Sequence, residues 1–362
     1  MNRKQFIVLV LFFVLVGAAG WIVYQHGNNS WQSAGHSIGG NLLPNLSVND
    51  VAQITIKSGP NDLVLARRDN LWCVRQRNDY PADFSKISDL LVKLAGLKIV
   101  QKQEVAPSQL ARFDLLPPDA STNSGTRVEL DGQNGKALAS LLLGKQHMNQ
   151  SGGDEGWADG RYLIVGNDAK NVIAISDPLD AAQPTPANWL DKTFFKIQNP
   201  KSVAVTFPIA TNSWKLTRAS QTNDWKLADA TSGEKLDSSK LNDVTHPFDS
   251  PEFNDVTPGT VAPKDATRVN VETFDGLIYS AKVWPDSAGN YFMTLSVSPA
   301  GPQVKNEKPE DKTVAGNLAA DQQFENWTYQ VPAYTVDSLL KPRSQLLADT
   351  QDVASPKSVA TK

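Results

Sequence analysis

Gly35-His36-Ser37-Ile38-Gly39 spells G-x-S-x-G, the string that places a hydrolase serine on a strained turn between a buried strand and a helix. Here it follows the polar run "NNSWQSA", eleven residues past Tyr24, with no apolar strand feeding it and no helical pattern leaving it. Ser37 therefore lacks the frame that would activate it. A second cluster lies in "GGDEGWADG", where Asp154, Glu155 and Asp159 gather near His147. Carboxylates at that density suit a hard cation such as calcium, but the spacing is not that of an EF-hand, and a solvated hairpin loop accounts for it equally well.

The remaining reactive residues point away from catalysis. "LLLGKQ" at 141–146 has Gly-Lys without the earlier glycine or the following Ser/Thr of a phosphate loop, so it reads as a strand end. His26, His36, His147 and His246 show neither i,i+4 pairing nor cysteine partners, so zinc-type spacing is absent. Cys73 is the single cysteine; it precludes an intrachain disulfide and reads as a small buried thiol beside Trp72. No cofactor is expected. Among the tryptophans, Trp72, Trp214 and Trp225 sit in strand contexts and are expected in cores. Trp157, in the acidic loop, and Trp189 are the candidates for contact with a ligand or partner, in a groove between modules.

These residues need a frame, and the first part of it is an uncharged run of 19 residues, Phe6 to Tyr24. As a helix it would span about 28 Å, close to the roughly 30 Å hydrocarbon core of a bilayer. Arg3 and Lys4 precede it and no Lys or Arg follows until Lys57, which predicts a cytoplasmic N-terminus and an exported remainder. Phe6, Leu11 and Phe13 would face lipid, with Trp21 and Tyr24 at the outer interface. A cleaved signal peptide is the rival, given Gly17-Ala18-Ala19-Gly20, but the apolar run continues past those small residues. An uncleaved single-pass anchor in the inner membrane, with the bulk periplasmic or otherwise extracytoplasmic, is the expectation. The formal charge of −3, with both signs interspersed, excludes a nucleic-acid partner of the basic-patch kind.

Beyond a Gly/Ser/Asn-rich linker over 26–45, short strands dominate. "VAQITIK", "LVLAR" and "LWCVR" form a meander, with Asp69-Asn70 as a turn. Pro81 stops extension and Asp83 can cap a helix whose stripe is Phe84, Ile87, Leu90, Leu91, Leu94 and Leu97. Strands resume at "TRVELDG", "ALASLLLG", "RYLIVG" and "NVIAIS". The pattern then recurs: "VAVTF", "WKLTR" and "DWKLAD" repeat the meander, Trp225 stands where Trp72 stood, and "TRVNVETFDG" echoes "TRVELDG". Asp83 to Thr126 spans 43 residues but Asp237 to Thr267 only 30, and Pro247 and Pro251 interrupt the second stretch. The second copy is therefore expected to keep only a turn or two of helix.

The opening "ITI" strand (Ile54–Ile56), the hairpin Leu63–Trp72, "PAD" into the helix at Pro81–Leu97, the "LLLGK" strand (Leu141–Lys145), "YLIV" (Tyr162–Val165) and the closing Asn188–Phe195 and Leu339–Arg343 together resemble the bacterial domain of unknown function 4340. The resemblance covers about residues 50 to 345. It implies an exported or single-pass protein, a companion of an ABC-type export complex, and supplies no catalytic residues.

The expected fold is α+β: two tandem, mainly antiparallel modules over 46–198 and 199–345, each with a packed helix that is reduced in the second. A single transmembrane helix precedes them, within a 1–25 stub and anchor, and a disordered tail over 346–362 follows. The expected role is a non-enzymatic binding or scaffold protein touching the bilayer through its anchor. A cell-envelope glycan or lipid binder and a serine hydrolase are the alternatives.

Overall fold

The structure, a computed structural model, describes residues 38–149, 157–301 and 309–348. The anchor residues Phe6, Leu11, Phe13, Trp21 and Tyr24 lie outside the described residues, as do Ser37, Asp154, Glu155 and residues 349–362 of the expected tail; its first three residues are instead docked, with Leu346 buried and the Ala348 amide donating to the Lys235 carbonyl. Among the described residues no helix is long and apolar enough to cross a membrane. The chain divides into two compact units, Met1–Asp191 and Lys192–Lys362.

The first unit is built on alternation. Strands β1 (Val51–Ser58), β2 (Asn61–Arg68) and β3 (Leu71–Val74) form the expected three-stranded meander, and the two-residue β4 (Tyr80–Pro81), at the proline expected to stop extension, adds to it by pairing with β3. Arg68 pairs with Leu71 across Asp69 and Asn70, both at positive φ, as a two-residue hairpin turn requires. Helix α1 (Phe84–Gly96) follows, then β5 (Ile99–Glu104), β6 (Thr126–Gly132), β7 (Ala137–Asn149), β8 (Trp157–Val165) and β9 (Asn171–Ile175). The sheet order is β4-β3-β2-β1-β6-β7-β8-β9-β5, antiparallel throughout.

Two coverings make the core. Asp83 caps α1 by accepting from the Ser85 and Lys86 amides, and the helix buries Ile87, Leu90, Leu91 and Leu94. Each such side chain contributes about 1.5–3 kcal/mol when fully buried. Phe84, expected in that stripe, is instead 65% exposed at the first helical position, a turn too early for the covered face. The opposite face of β7–β9 carries Leu142, Ile164 and Val172, packed against Val105, Leu110 and Leu115 from the β5–β6 connection.

The second unit repeats the sheet. Strands β10 (Pro200–Thr206), β11 (Trp214–Thr217), β12 (Lys226–Leu227), β13 (Asp255–Pro258), β14 (Thr267–Thr273), β15 (Leu277–Pro285) and β16 (Tyr291–Pro299) are followed by helix α2 (Pro309–Gln322) and β17 (Trp327–Val331). Their order, β12-β11-β10-β14-β15-β16-β17-β13, reproduces the first sheet without β4. Even the irregularity is shared: the register slips between Val51 and Gln53 against β6, and between Pro200 and Ser202 against β14. Asp237 again caps, now only the three-residue 3-10 turn Ser238–Lys240. The reduced helix of the second copy is as expected.

The missing length is not where the sequence suggested. From Asp83 to β5, and from Asp237 to β13, the chain runs a similar distance; what shrinks is the next connection, 105–125 in the first unit against 259–266 in the second. The piece present only in the first unit is the outer cover. Matched through the strand registers, Leu142 and Ile164 become Lys282 and Thr294, so a sheet face that lost its apolar cover also lost its apolar residues.

Other expectations shift. Helix α2, β5 and β13 went unread. Trp225 is half-buried, with Arg218 stacked 4.7 Å above it, rather than a core residue. The linker expected to reach residue 45 is docked from Gly39: its amide donates to Ile99 and that of Leu42 to Leu97, while Leu42 and Leu43 are buried. Phe194 and Phe195, read as closing the first module, pack in the second, Phe194 lying 4.6 Å from the Tyr329 ring and 5.1 Å from Phe253.

Each unit is closed by its own end. The Asp83 amide donates to the Trp189 carbonyl at 2.8 Å, and the Asp237 amide to that of Leu346 at 3.0 Å; Ala82 bridges Leu190 as Leu236 bridges Leu347. In the second unit Arg343 forks onto both carboxylate oxygens of Glu234 (3.0 and 2.8 Å) and reaches Asp229 at 2.9 Å.

Gly144 of "LLLGK" is required by close approach, since a Cβ there would stand 2.2 Å from the Phe113 carbonyl oxygen. Gly144→Ala should destabilise the first unit by about 1–3 kcal/mol or more in urea unfolding. The Arg343 hydrogen bonds hold the Glu234 carboxyl down at about 2 against an ordinary 4.5. A depressed acid contributes stability above its unfolded value and loses it as pH falls through the folded one. The melting-temperature gap between the wild type and Arg343→Met should therefore narrow between pH 5 and about pH 2.

Candidate functional site

The first unit holds a polar cleft of about 350 Å³ at the edge of β1, β6, β7 and β8, roofed by the segment 180–185. Ser58, Asn61 and Thr126 line one part of it; Gln146, Arg161, Asp180 and Gln183 line another. Arg161 arises on β8 opposite Gln146 on β7. Its Nε donates to the Gly144 carbonyl at 2.8 Å and an Nη to Pro178 at 3.2 Å. Burial pushes the guanidinium pKa down, partly countered by Asp180. Gln146 donates its amide to Asp180. The roof is held from below, where the Trp189 indole donates to the Gln183 carbonyl at 3.1 Å.

Trp189 is thus a structural plug. It is 3% exposed and occupies the place that Leu346 fills in the second unit, so its ring presents no open face to a ligand. Trp157 is 56% exposed at the start of β8. Near it on the β7–β8 hairpin, the Asp159 carboxylate is hydrogen-bonded to His147 Nδ1 at 2.6 Å, and His147 lies edge-on to Tyr162. Of the three carboxylates considered for a cation, only Asp159 is described, and it is engaged by His147. Among the described residues no group of three or more His, Cys, Asp or Glu is placed to hold a metal ion.

The second unit has a wider surface groove of about 730 Å³ lined by Asn242, Asp243, His246, Asp249, Tyr334 and Lys341 among others. Several of its polar groups are engaged: Lys341 sits 3.7 Å from Asp243, Lys196 pairs with Asp249, and Tyr334 donates to Glu252. Cys73 is buried, and desolvation raises its thiol pKa, the opposite of activation. Sequence reasoning missed Arg161 because nothing distinguishes it locally from any other strand arginine. The comparison between copies was the available signal: in the register, Arg161 opposite Ile175 corresponds to Tyr291 opposite Val331.

The architecture defines a duplicated antiparallel α+β sheet protein. The family of that architecture is the domain of unknown function DUF4340, to which this chain belongs: the family model matches residues 72–271. The match begins in β3 of the first unit and ends in β14 of the second. No curated protein and no solved structure matches the chain.

Trp157→Ala should change stability by no more than about 0.5 kcal/mol, as for other exposed positions, whereas Trp189→Ala should cost about 3–5 kcal/mol. Chemical unfolding of the two variants checks the difference.

Proposed function

We propose that the chain is a membrane-anchored, non-enzymatic binding or scaffold protein whose two sheet units work on the extracytoplasmic side, in company with an ABC-type membrane complex. The observation that carries this reading is what the two copies share. The register slip, the capping aspartate and the closing carbonyl recur. These are framework features, and duplicated framework without a duplicated polar centre suits a protein that presents surface. The apolar run Phe6–Tyr24 and its flanking charges support the anchor. The resemblance that first suggested the family supports the ABC-type partner.

A second reading, a binder of envelope glycan or lipid, is favoured by Trp157, an exposed aromatic near the His147–Asp159 pair. The hydrolase reading asks for a helix leaving the serine turn, whereas the chain after Ile38 runs along the β5 edge, with its first helical turn at Val48–Asp50.

Full-length protein should stay in the membrane pellet through an alkaline carbonate wash, and Leu11→Arg with Phe13→Arg should move it to the supernatant. Affinity capture of the detergent-solubilised full chain should bring down polytopic transporter subunits; recovery of the chain alone in several detergents overturns the scaffold reading. Retention of Trp157-dependent binding to isolated peptidoglycan would favour the second reading. Labelling by a fluorophosphonate probe that disappears in Ser37→Ala would establish the third.

A further inference from the structure

Arg161 has more hydrogen-bonding capacity than the fold uses. A guanidinium carries five N–H donors, and two are spent here, on the carbonyls of Gly144 and Pro178. It belongs to no ion pair among the described residues, although burial makes its charge costly. Asp180, the acid that it feels, is held by the Gln146 amide instead. The frame does not call for this arginine either, because the second unit builds the same strand pair with Tyr291 at the matching position. A desolvated, under-bonded charge that the fold can do without is what a ligand site leaves behind.

We propose that the cleft binds a small zwitterion, an amino acid or short peptide, with its carboxylate on Arg161 and its ammonium on Asp180. Two side chains of opposite charge line one cavity of about 350 Å³, the lower end of the range for small-molecule sites. The planar fork of arginine matches a carboxylate with two parallel hydrogen bonds. Asp180 opposes a simple anion and Arg161 opposes a simple cation, so a ligand bearing both charges gains from each. Asn61, Thr126 and Gln183 supply neutral donors and acceptors suited to amide groups between the charged ends. This site goes beyond the scaffold reading and depends on neither the anchor nor the transporter.

The test is isothermal titration of the detergent-solubilised full chain with glycine, diglycine, acetate, methylammonium and inorganic phosphate. Glycine or diglycine should bind at least tenfold more tightly than acetate, methylammonium or phosphate. Asp180→Asn keeps an acceptor for Gln146 and should weaken the zwitterion at least tenfold while leaving acetate as tight or tighter. Arg161→Tyr, which installs the residue of the other copy, should abolish both, with a thermal melt confirming the fold; if that variant does not fold, Asp180→Asn decides alone. No heat from either zwitterion at about 10 mM, phosphate binding more tightly than both, or affinity unmoved by Asp180→Asn would each overturn the proposal.

Discussion

Each sheet is completed by a hydrogen bond between residues far apart in the chain: the amide of the aspartate that caps the helix or turn donates to the carbonyl of a buried residue in the unit's last segment. That bond places the cap, and with it the apolar stripe of α1 over the sheet. It also fixes Trp189 under the roof of the polar cleft, and so sets where Gln183 and Asp180 stand. A segment that must return across the whole unit before it is rewarded makes the contacts non-local, and closing such loops is what folding of an antiparallel sheet has to overcome.

The difference between the copies follows from the same economy of surfaces. A sheet has two faces, and an apolar face must be covered. The first unit covers the outer side of β7–β9 with the 105–125 connection and places Leu142, Ile164 and Val172 there. The second unit has a short connection, and Lys282 and Thr294 stand at the matching positions. Helix α2 is added elsewhere: Tyr279 donates to Asp321 at 2.7 Å, with burial raising the pKa of both groups. Phe194, Phe253, Phe324 and Tyr329 gather into an aromatic core within that unit.

Duplication also separates frame from feature. Positions that agree between copies, such as the register slip and the capping aspartate, answer to backbone geometry and burial. Positions that disagree are released from the frame, and Arg161 against Tyr291 is the instance in which the departure is electrostatically expensive. The polar cleft sits where the copies part, which is why a search for repeated polar clusters passes it by.

Much of this was legible from residue order. Alternation and turn residues identified most strands, Asp83 and the leucine spacing identified α1, and the paired prolines after Asp237 marked the lost helix, because each depends on neighbours within a few residues. The membership in DUF4340 was legible for the same reason. Other features depended on distant partners. Phe84 has the apolar character of a core residue, and only its place at the first turn leaves it exposed. Trp157 and Trp189 look alike in sequence, yet one reaches solvent and the other is a plug, since burial depends on what the rest of the chain lays over a residue. Local pattern determined the strands, the cap and the repeat; tertiary packing decided which face was covered, which connection had shrunk and where a lone arginine was left with donors to spare, because each of those is a relation between segments that never meet in the sequence.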